Sequence, residues 1–214
     1  KADGNHEKMP ESEFIYGGGF KGPIAGNTVV RLGNGRIFNA FTGSCDADIL
    51  GHTETYVGYQ HTYTDDNGVV VTVDGYPWIR DIVYGGNDLG GEIKNTKTFS
   101  GTEYVRSETD GMRYSDDLLT ASSYMEYRQG HADAIFGGNF GTYNYLLPEY
   151  ARTENKPKPH LGRAFVNFRP TSTNELKAES KKNVVNYVYG GSQGQPGDFD
   201  SNKMQESSYV LINR

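Results

Sequence analysis

Short runs of alternating apolar and polar residues recur along this chain, and each unit ends in an aromatic residue followed by a glycine-bearing turn. Alternation with a period of two is typical of strands that have one buried face. The pattern therefore predicts a β-rich chain built from repeated strand and turn units. The repeated phrase occurs at Ile15-Tyr16-Gly17-Gly18, Ala40-Phe41-Thr42-Gly43, Val83-Tyr84-Gly85-Gly86, Ile135-Phe136-Gly137-Gly138 and Val188-Tyr189-Gly190-Gly191.

The aromatic residues of these phrases, called the aromatic anchors below, are unevenly spaced. They are Tyr16, Phe41, Tyr84, Phe136 and Tyr189, with intervals of 25, 43, 52 and 53 residues. Alternating runs precede four of them, at Val30-Arg31-Leu32, Val71-Thr72-Val73, Met125-Glu126-Tyr127 and Val166-Asn167-Phe168. Constant units separated by variable segments are typical of solenoids, which accept insertions at their corners.

The spacing therefore predicts an all-β fold, a right-handed parallel β-helix or related β-solenoid with long loop insertions. The anchors should be buried and stacked on one another, with the glycine pairs at the corners. An antiparallel β-sandwich is the alternative, because Asp65-Asp66-Asn67-Gly68 has the composition of a hairpin turn.

We expect residues 1–214 to form one domain that is a segment of a longer repeat array. The first unit lacks a leading strand, and Tyr209-Val210-Leu211-Ile212-Asn213 reads as a strand without a following anchor. Unpaired strand edges recruit other chains. The sequence therefore predicts end-to-end self-association through the C-terminal edge.

Two segments carry a resemblance to a known class of proteins. Val83-Tyr84-Gly85-Gly86-Asn87 and Ile135-Phe136-Gly137-Gly138-Asn139 resemble the glycine-rich repeats of adhesin-like secreted or surface proteins of Bacteroidetes. The resemblance implies a right-handed parallel β-helix and an extracellular or cell-surface location. It implies no catalytic site.

Composition excludes several classes of function. A net charge of −6 and a pI near 5.4 argue against nucleic-acid binding, which rewards a basic face. No apolar run approaches the ~18 residues of a membrane-spanning helix, so no transmembrane segment is predicted. The single cysteine, Cys45, excludes an intrachain disulfide.

No catalytic residue is predicted. Acidic pairs such as Asp46 and Asp48 are typical of solvated turns, and the ordered motifs expected of a β-helical galacturonan hydrolase are present only as fragments. Asp65 and Asp66 offer oxygen ligands for calcium in a tight turn. No other cofactor or metal site is predicted.

The sequence predicts a non-enzymatic, adhesin-like module that displays variable loops on a rigid scaffold and binds a glycan or a surface protein. Specificity should lie in the variable segments His52–Asn67, Asn95–Gly111, Tyr143–Gly162 and Thr171–Lys182. Four tyrosines of these segments would be stacking platforms for sugars or anchors for a protein partner, namely Tyr59, Tyr63, Tyr143 and Tyr145.

A carbohydrate-active enzyme of the same fold, a polysaccharide lyase or glycosidase, is the alternative function. Such an enzyme should bring three or more charged side chains from adjacent strands into one groove. The tyrosines have a second interpretation as well, in which they only cover the ends of the core.

Overall fold

The computed structural model describes residues 11–73, 75–99, 104–107, 111–114, 119–141, 160–170, 184–193 and 208–212. All helical or extended elements in these ranges are β-strands, so the prediction of an all-β chain is confirmed for the described residues. Among them there is no helix of the length and apolar character needed to cross a membrane. The strands are β1 (Glu11–Tyr16), β2 (Thr28–Leu32), β3 (Gly35–Phe41), β4 (Thr53–Val57), β5 (His61–Thr64), β6 (Val70–Val73), β7 (Pro77–Ile79), β8 (Ile82–Tyr84), β9 (Glu92–Ile93), β10 (Lys97–Phe99), β11 (Tyr104–Ser107), β12 (Gly111–Tyr114), β13 (Leu119–Ala121), β14 (Ser123–Tyr127), β15 (His131–Phe136), β16 (His160–Leu161), β17 (Ala164–Phe168), β18 (Val184–Tyr189) and β19 (Ser208–Ile212).

The first large sheet is parallel throughout. Its order is β1-β3-β7-β15-β18, and β8 lies beside β7 along the same line, pairing with both β3 and β15. The registers place all five aromatic anchors on one line across the sheet, so equivalent residues of each unit are direct neighbours.

The second large sheet is also parallel and has the order β19-β17-β14-β4-β2. Within the described residues, antiparallel pairing is confined to three two-stranded ladders, β5 with β6, β10 with β13, and β11 with β12. An antiparallel sandwich would instead pair sequence neighbours throughout. That alternative is therefore wrong for both large sheets.

A third, narrower line of parallel pairing runs beside the two sheets. Ile24 bridges to Ile49 and Ile49 bridges to Ile93. Ile93 in turn pairs with Leu161, because β9 and β16 are parallel. These side chains form their own buried cluster with Ala164.

The main core consists of apolar side chains from both large sheets. The first sheet contributes residues such as Ala40, Val83 and Ile135, and the second contributes residues such as Val57 and Met125. All five are almost fully buried. Burial of apolar surface of this kind is the dominant favourable contribution to folding.

The aromatic anchors do not point into that core. The residue before each anchor, for example Ala40 or Val83, belongs to the core. Successive side chains of a strand face opposite ways, so the anchors project from the other face of the sheet. There Phe41, Tyr84 and Phe136 form a separate cluster, against which Tyr16 and Phe140 pack.

The anchors stack on one another as expected, and we call this stack the aromatic ladder. Successive ring centroids from Tyr16 to Tyr189 lie 5.1, 4.9, 5.4 and 4.4 Å apart. The predicted burial is confirmed for Phe41, Tyr84 and Phe136. It is wrong for Tyr189, which is 44% exposed at the end of the ladder, and Tyr16 at the other end is only half-buried.

The glycine turns that follow the anchors stack on one another through the backbone. Gly43 N donates to Gly86 O, and Gly86 N donates to Gly138 O, each at 3.0 Å. A Cβ atom at Gly137 would lie 2.5 Å from the carbonyl oxygen of Gly190 in the adjacent turn. Glycine is required there because neighbouring backbones leave no space for a side chain.

A second ladder of polar side chains holds these turns together. Asn87 Oδ1 accepts a hydrogen bond from Ser44 N, and Asn139 Oδ1 accepts one from Asn87 N, both at 2.7 Å. Ser192 Oγ continues the line by accepting from Asn139 N at 2.9 Å. Because Ser44, Asn87 and Asn139 are fully buried, these bonds satisfy backbone donors that water cannot reach.

One predicted strand belongs elsewhere. Val71-Thr72-Val73 lies in β6 and pairs with β5 in an antiparallel hairpin around Asp65-Asp66-Asn67-Gly68. The position in the second sheet is taken by β4, which pairs with β2 and β14. Part of the segment His52–Asn67 is therefore a strand of the scaffold and was wrongly predicted to be an insertion.

Asp88 is a buried carboxylic acid beside the aromatic ladder. Tyr16 donates its hydroxyl hydrogen to Asp88 Oδ2 at 2.7 Å, and Asp88 Oδ1 has no hydrogen-bond partner among the described residues. Burial raises the pKa of Asp88 to about 6, because desolvation outweighs the hydrogen bond from Tyr16.

This raised pKa predicts a pH-dependent stability. The unfolded chain loses the Asp88 proton near its ordinary pKa of 3.8, whereas the folded protein keeps it until about 6. The stabilising contribution is therefore complete below the unfolded pKa and is lost as pH rises through the folded pKa. We expect Asp88→Asn to stabilise the protein at about pH 7.5, by roughly 3 kcal/mol, and the gain to vanish near about pH 4.

The measurement is urea unfolding of both proteins at several pH values. Asp66→Asn in the exposed hairpin turn is the matched control and should show no such trend. The prediction would be contradicted if the free energies of unfolding of Asp88→Asn and the native protein differed by the same amount at every pH.

Candidate binding surface

A network of polar side chains lies on the face of the second sheet that points away from the core. In β4, Thr53, Thr55 and Val57 are buried, whereas Glu54 and Tyr56 occupy the alternate positions. The register places Glu54 beside Tyr124 and Tyr56 beside Glu126, so two carboxylates alternate with two phenols across β4 and β14. We call this the tyrosine–cation surface; its members are Arg31, Glu54, Tyr56, Tyr59, Lys97, Tyr124, Glu126, Arg128, Arg163 and Tyr209. Tyr124 and Glu126 form its buried floor, each only 8% exposed.

Glu54 is held by three donors. Lys97 Nζ lies 2.9 Å from Oε2, His52 Nε2 lies 3.0 Å from Oε1, and the Tyr56 hydroxyl donates to Oε2. Burial would raise the pKa of Glu54, but the hydrogen bonds from Tyr56, Lys97 and His52 outweigh it and lower that pKa to about 2. Glu54 is therefore an ionised acceptor at neutral pH.

Lys97 reaches Glu54 because of a local ladder. Lys97 in β10 pairs with Ala121 in β13, and β13 leads directly into β14. The ammonium group therefore lies above the sheet, 5.3 Å from the centroid of the Tyr124 ring. A sequence pattern alone does not reveal this placement.

Glu126 forms the second carboxylate centre. Arg128 Nε donates to Oε1 at 3.1 Å, and the Tyr124 hydroxyl lies 3.4 Å from Oε2. The pKa of Tyr59 is raised, first by burial and then by its hydrogen bond and charge interaction with Glu126. The pKa of Tyr56 is raised by burial and by Glu54, so both phenols keep their protons at neutral pH.

Four cations of this surface each lie over a tyrosine ring. Arg31 lies 5.4 Å from the Tyr56 centroid and Arg128 lies 4.4 Å from the Tyr59 centroid. Lys97 over Tyr124 and Arg163 over Tyr209 continue the arrangement. Cation–π contacts of this kind hold the charged groups and the rings in fixed positions.

The protonation states of Glu54, Tyr56 and Tyr59 limit which of them could act as a general acid. A general acid needs a pKa near the working pH, yet Glu54 is ionised and Tyr56 and Tyr59 are protonated at neutral pH. Fixed donors, acceptors and aromatic faces are the groups that recognise a polar cyclic ligand. The charged side chains nevertheless reach the number that we expected of an enzyme groove, with Glu54, Lys97, Glu126 and Arg128 on one face.

The predicted binding tyrosines have different positions. Tyr59 belongs to the tyrosine–cation surface, where its ring meets Tyr56 edge-on at 5.2 Å. Tyr63 lies on the β5–β6 hairpin and is 47% exposed. Tyr143 and Tyr145 lie outside the described residues. Their binding roles stay predictions.

Sequence reasoning missed most of the surface. The available signal was the pair of runs Thr53–Val57 and Ser123–Tyr127, in which the positions facing away from the core carry Glu and Tyr. Neither run indicates that the Lys97 side chain contacts Glu54 in β4 and Tyr124 in β14.

The candidate calcium turn has a structural use. Asp65 Oδ1 accepts hydrogen bonds from Asn67 N and Val69 N, both at 2.9 Å, and so closes the hairpin turn. Within the described ranges, no group of three or more His, Cys, Asp or Glu side chains converges in a way that could hold a metal ion. Calcium binding by Asp65 and Asp66 stays a prediction.

No protein-family model, no curated protein and no solved structure matches this chain.

Proposed function

We propose that this chain is a right-handed parallel β-helix that acts as a non-enzymatic, adhesin-like binding module, secreted or on a cell surface. The order of the strands supports the scaffold. From β1 the chain passes Ile24 of the third line and reaches β2, and from β3 it passes Ile49 and reaches β4. The chain repeats this order of visits to the first sheet, the third line and the second sheet, and each repeat pairs in parallel with the one before. A coiled chain is the simplest path that places strands in both sheets and in the third line.

The ligand that this surface fits best is a saccharide. The observation that carries the proposal is the set of four cation–tyrosine pairs beside two ionic carboxylate centres. Aromatic faces pack against the C–H groups of sugar rings, while guanidinium, ammonium and carboxylate groups pair with hydroxyls. Arg31 is exposed and has no ion-pair partner in the part of the chain that the structure describes, so it is available to a ligand.

Substitution at this surface tests the proposal. We expect the protein to bind one or more saccharides on a glycan array, and Tyr59→Ala and Arg31→Ala to weaken that binding about tenfold or more. The physical reason is the loss of a stacking face or of an available charge. Tyr187→Ala is the matched control, since Tyr187 is an exposed tyrosine on the other large sheet, and it should bind normally. The proposal would be rejected if the native protein bound no saccharide on the array. It would also be rejected if the native protein and the three variants all bound equally.

A carbohydrate-active enzyme of the same fold is the second candidate. The observation that favours it is the placement of Glu54 and Glu126 on adjacent strands, each with a cation beside it. The discriminating measurement is the release of reducing or unsaturated ends from polysaccharides. Product formation that Glu126→Gln abolishes, with binding retained, would replace the binding module by an enzyme.

End-to-end self-association stays a prediction of the sequence. Among the described strands, β18 pairs only with β15 and β19 pairs only with β17, so both lie at sheet edges. Val210 and Ile212 of β19 are exposed.

A further inference from the structure

A cleft on the first sheet lies apart from the tyrosine–cation surface. The strand registers place Glu11, Arg36, Trp78 and His131 on one line across β1, β3, β7 and β15. A cavity of about 330 Å³ opens beside this line. The groups that matter for recognition are Glu11, Glu13, Arg36, Phe38, Trp78 and Arg80, and together they define the Trp78 cleft.

Trp78 is fixed in position from one side. Its ring stacks on His131 with a centroid distance of 4.1 Å and an interplanar angle of 9°. His131 Nδ1 lies 3.0 Å from the carbonyl oxygen of Ile79. A carbonyl can only accept, so Nδ1 carries a hydrogen and the imidazole is oriented by the backbone. The indole is therefore a rigid, half-buried platform.

The two arginines of the cleft are only weakly engaged. Arg36 Nη1 lies 3.7 Å from Glu11 Oε2, and the two side chains are 32% and 67% exposed. An exposed ion pair of this length contributes little to stability, so a ligand can replace it at small cost. Arg80 lies 5.4 Å from the centroid of the Phe38 ring, which keeps its guanidinium at the edge of the cleft.

The chemistry of the cleft identifies a class of ligand. Two guanidinium groups donate and two carboxylates accept, so the charges of the cleft balance, and Trp78 and Phe38 supply apolar faces. A neutral pyranose has one face of C–H groups and hydroxyls that both donate and accept, which matches this set. The volume is at the small end of ligand sites, which suits one or two sugar residues.

We propose that the Trp78 cleft binds a neutral hexopyranose residue of a saccharide. The site does not depend on the tyrosine–cation surface, because it lies on the other large sheet and shares no residue with it. Arg36 and the carboxylates position the hydroxyls, and Trp78 carries the ring.

The chain carries its own reporter for this test. Trp78 is the single tryptophan of the sequence, so intrinsic tryptophan emission reports on this cleft alone. The probes are the methyl glycosides of glucose, mannose and galactose and their neutral trisaccharides, with glucuronate and galacturonate as charged comparisons. We expect a saturable change in emission with at least one neutral probe, together with protection of Trp78 from acrylamide quenching.

Variants separate this site from the other surface. Arg36→Ala and Arg80→Ala, which both retain the reporter, should each weaken the response about tenfold, because each removes a charged hydrogen-bond donor. Tyr59→Ala should leave it unchanged. Circular dichroism confirms that each variant is folded. If one arginine variant does not fold, the other still provides the test.

Three results would overturn the inference. They are the absence of a saturable change with every neutral probe, a response confined to the uronates, and an undiminished response in both arginine variants. A Trp78 response without binding at the tyrosine–cation surface would support this inference and reject the saccharide site proposed for that surface. Binding at the tyrosine–cation surface without a Trp78 response would support that site and reject this inference.

Discussion

Replacement of Tyr84 by alanine should lower the free energy of unfolding by about 4 kcal/mol. Tyr84 is 1% exposed and lies in the middle of the aromatic ladder. Its ring centroid is 4.9 Å from that of Phe41, 5.4 Å from that of Phe136 and 5.0 Å from that of Phe140. The truncation leaves a cavity that the rigid neighbouring strands cannot close. Urea unfolding followed by circular dichroism measures the loss.

Two variants calibrate this result. Tyr84→Phe keeps the ring and removes the hydroxyl that donates to Gln193 Oε1 at 2.5 Å, so its cost should be about 1 kcal/mol. Tyr189→Ala truncates the exposed end of the same ladder and should cost less than half as much as Tyr84→Ala. If Tyr84→Ala and Tyr189→Ala lowered the free energy of unfolding equally, the position of a ring within the ladder would not determine its contribution to stability.

Gly137→Ala should destabilise the protein by about 3 kcal/mol. The new Cβ would lie 2.5 Å from Gly190 O and 2.8 Å from Val166 Cγ2. Gly137 does not have a positive φ, so the cost comes from the close approach of neighbouring chains and not from a forbidden backbone conformation. The free energy of unfolding and the midpoint of thermal unfolding should both fall.

The control for this prediction is Gly22→Ala. A Cβ at Gly22 would meet nothing within 4 Å, so this substitution should change stability by less than about 0.5 kcal/mol. If the two alanine variants unfold at the same urea concentration, the turns are not packed as described.

The sequence pattern predicted the line of anchors but not the face on which they lie. Period-two alternation shows that neighbours such as Val83 and Tyr84 face opposite ways. Both are apolar, however, so the pattern cannot say which of them meets the second sheet. The outcome depends on the turns: the segments after Phe41, Tyr84 and Phe136 fold back beside the rings, where Phe140 covers two of them.

The misassigned strand has a related physical explanation. Val71-Thr72-Val73 is more apolar than Thr53–Val57, so hydrophobicity alone favours it as the buried strand. Thr53 and Thr55 are nevertheless fully buried, because Thr53 Oγ1 donates to Gly85 O and Thr55 Oγ1 bonds with Thr42 Oγ1, each at 2.5 Å. Threonines whose hydroxyls bond to the glycine turns can occupy core positions.

The tyrosine–cation surface lay beyond prediction because its members come from separate parts of the chain. Glu54 and Lys97 are 43 positions apart. Their contact depends on the ladder between β10 and β13, which no local pattern in the sequence indicates. Tyr59 was predicted as a binding residue for its aromatic character, and its neighbours Glu126 and Arg128 become visible only when β4 and β14 are placed side by side.

The polar ladder of the glycine turns also has a kinetic consequence. Its hydrogen bonds join residues 43, 52 and 53 positions apart, and the large sheets are paired in the same non-local way. Loops of this length must close before any of these contacts forms, and their entropy cost raises the folding barrier. The chain should therefore fold slowly, in the range of milliseconds to seconds or beyond.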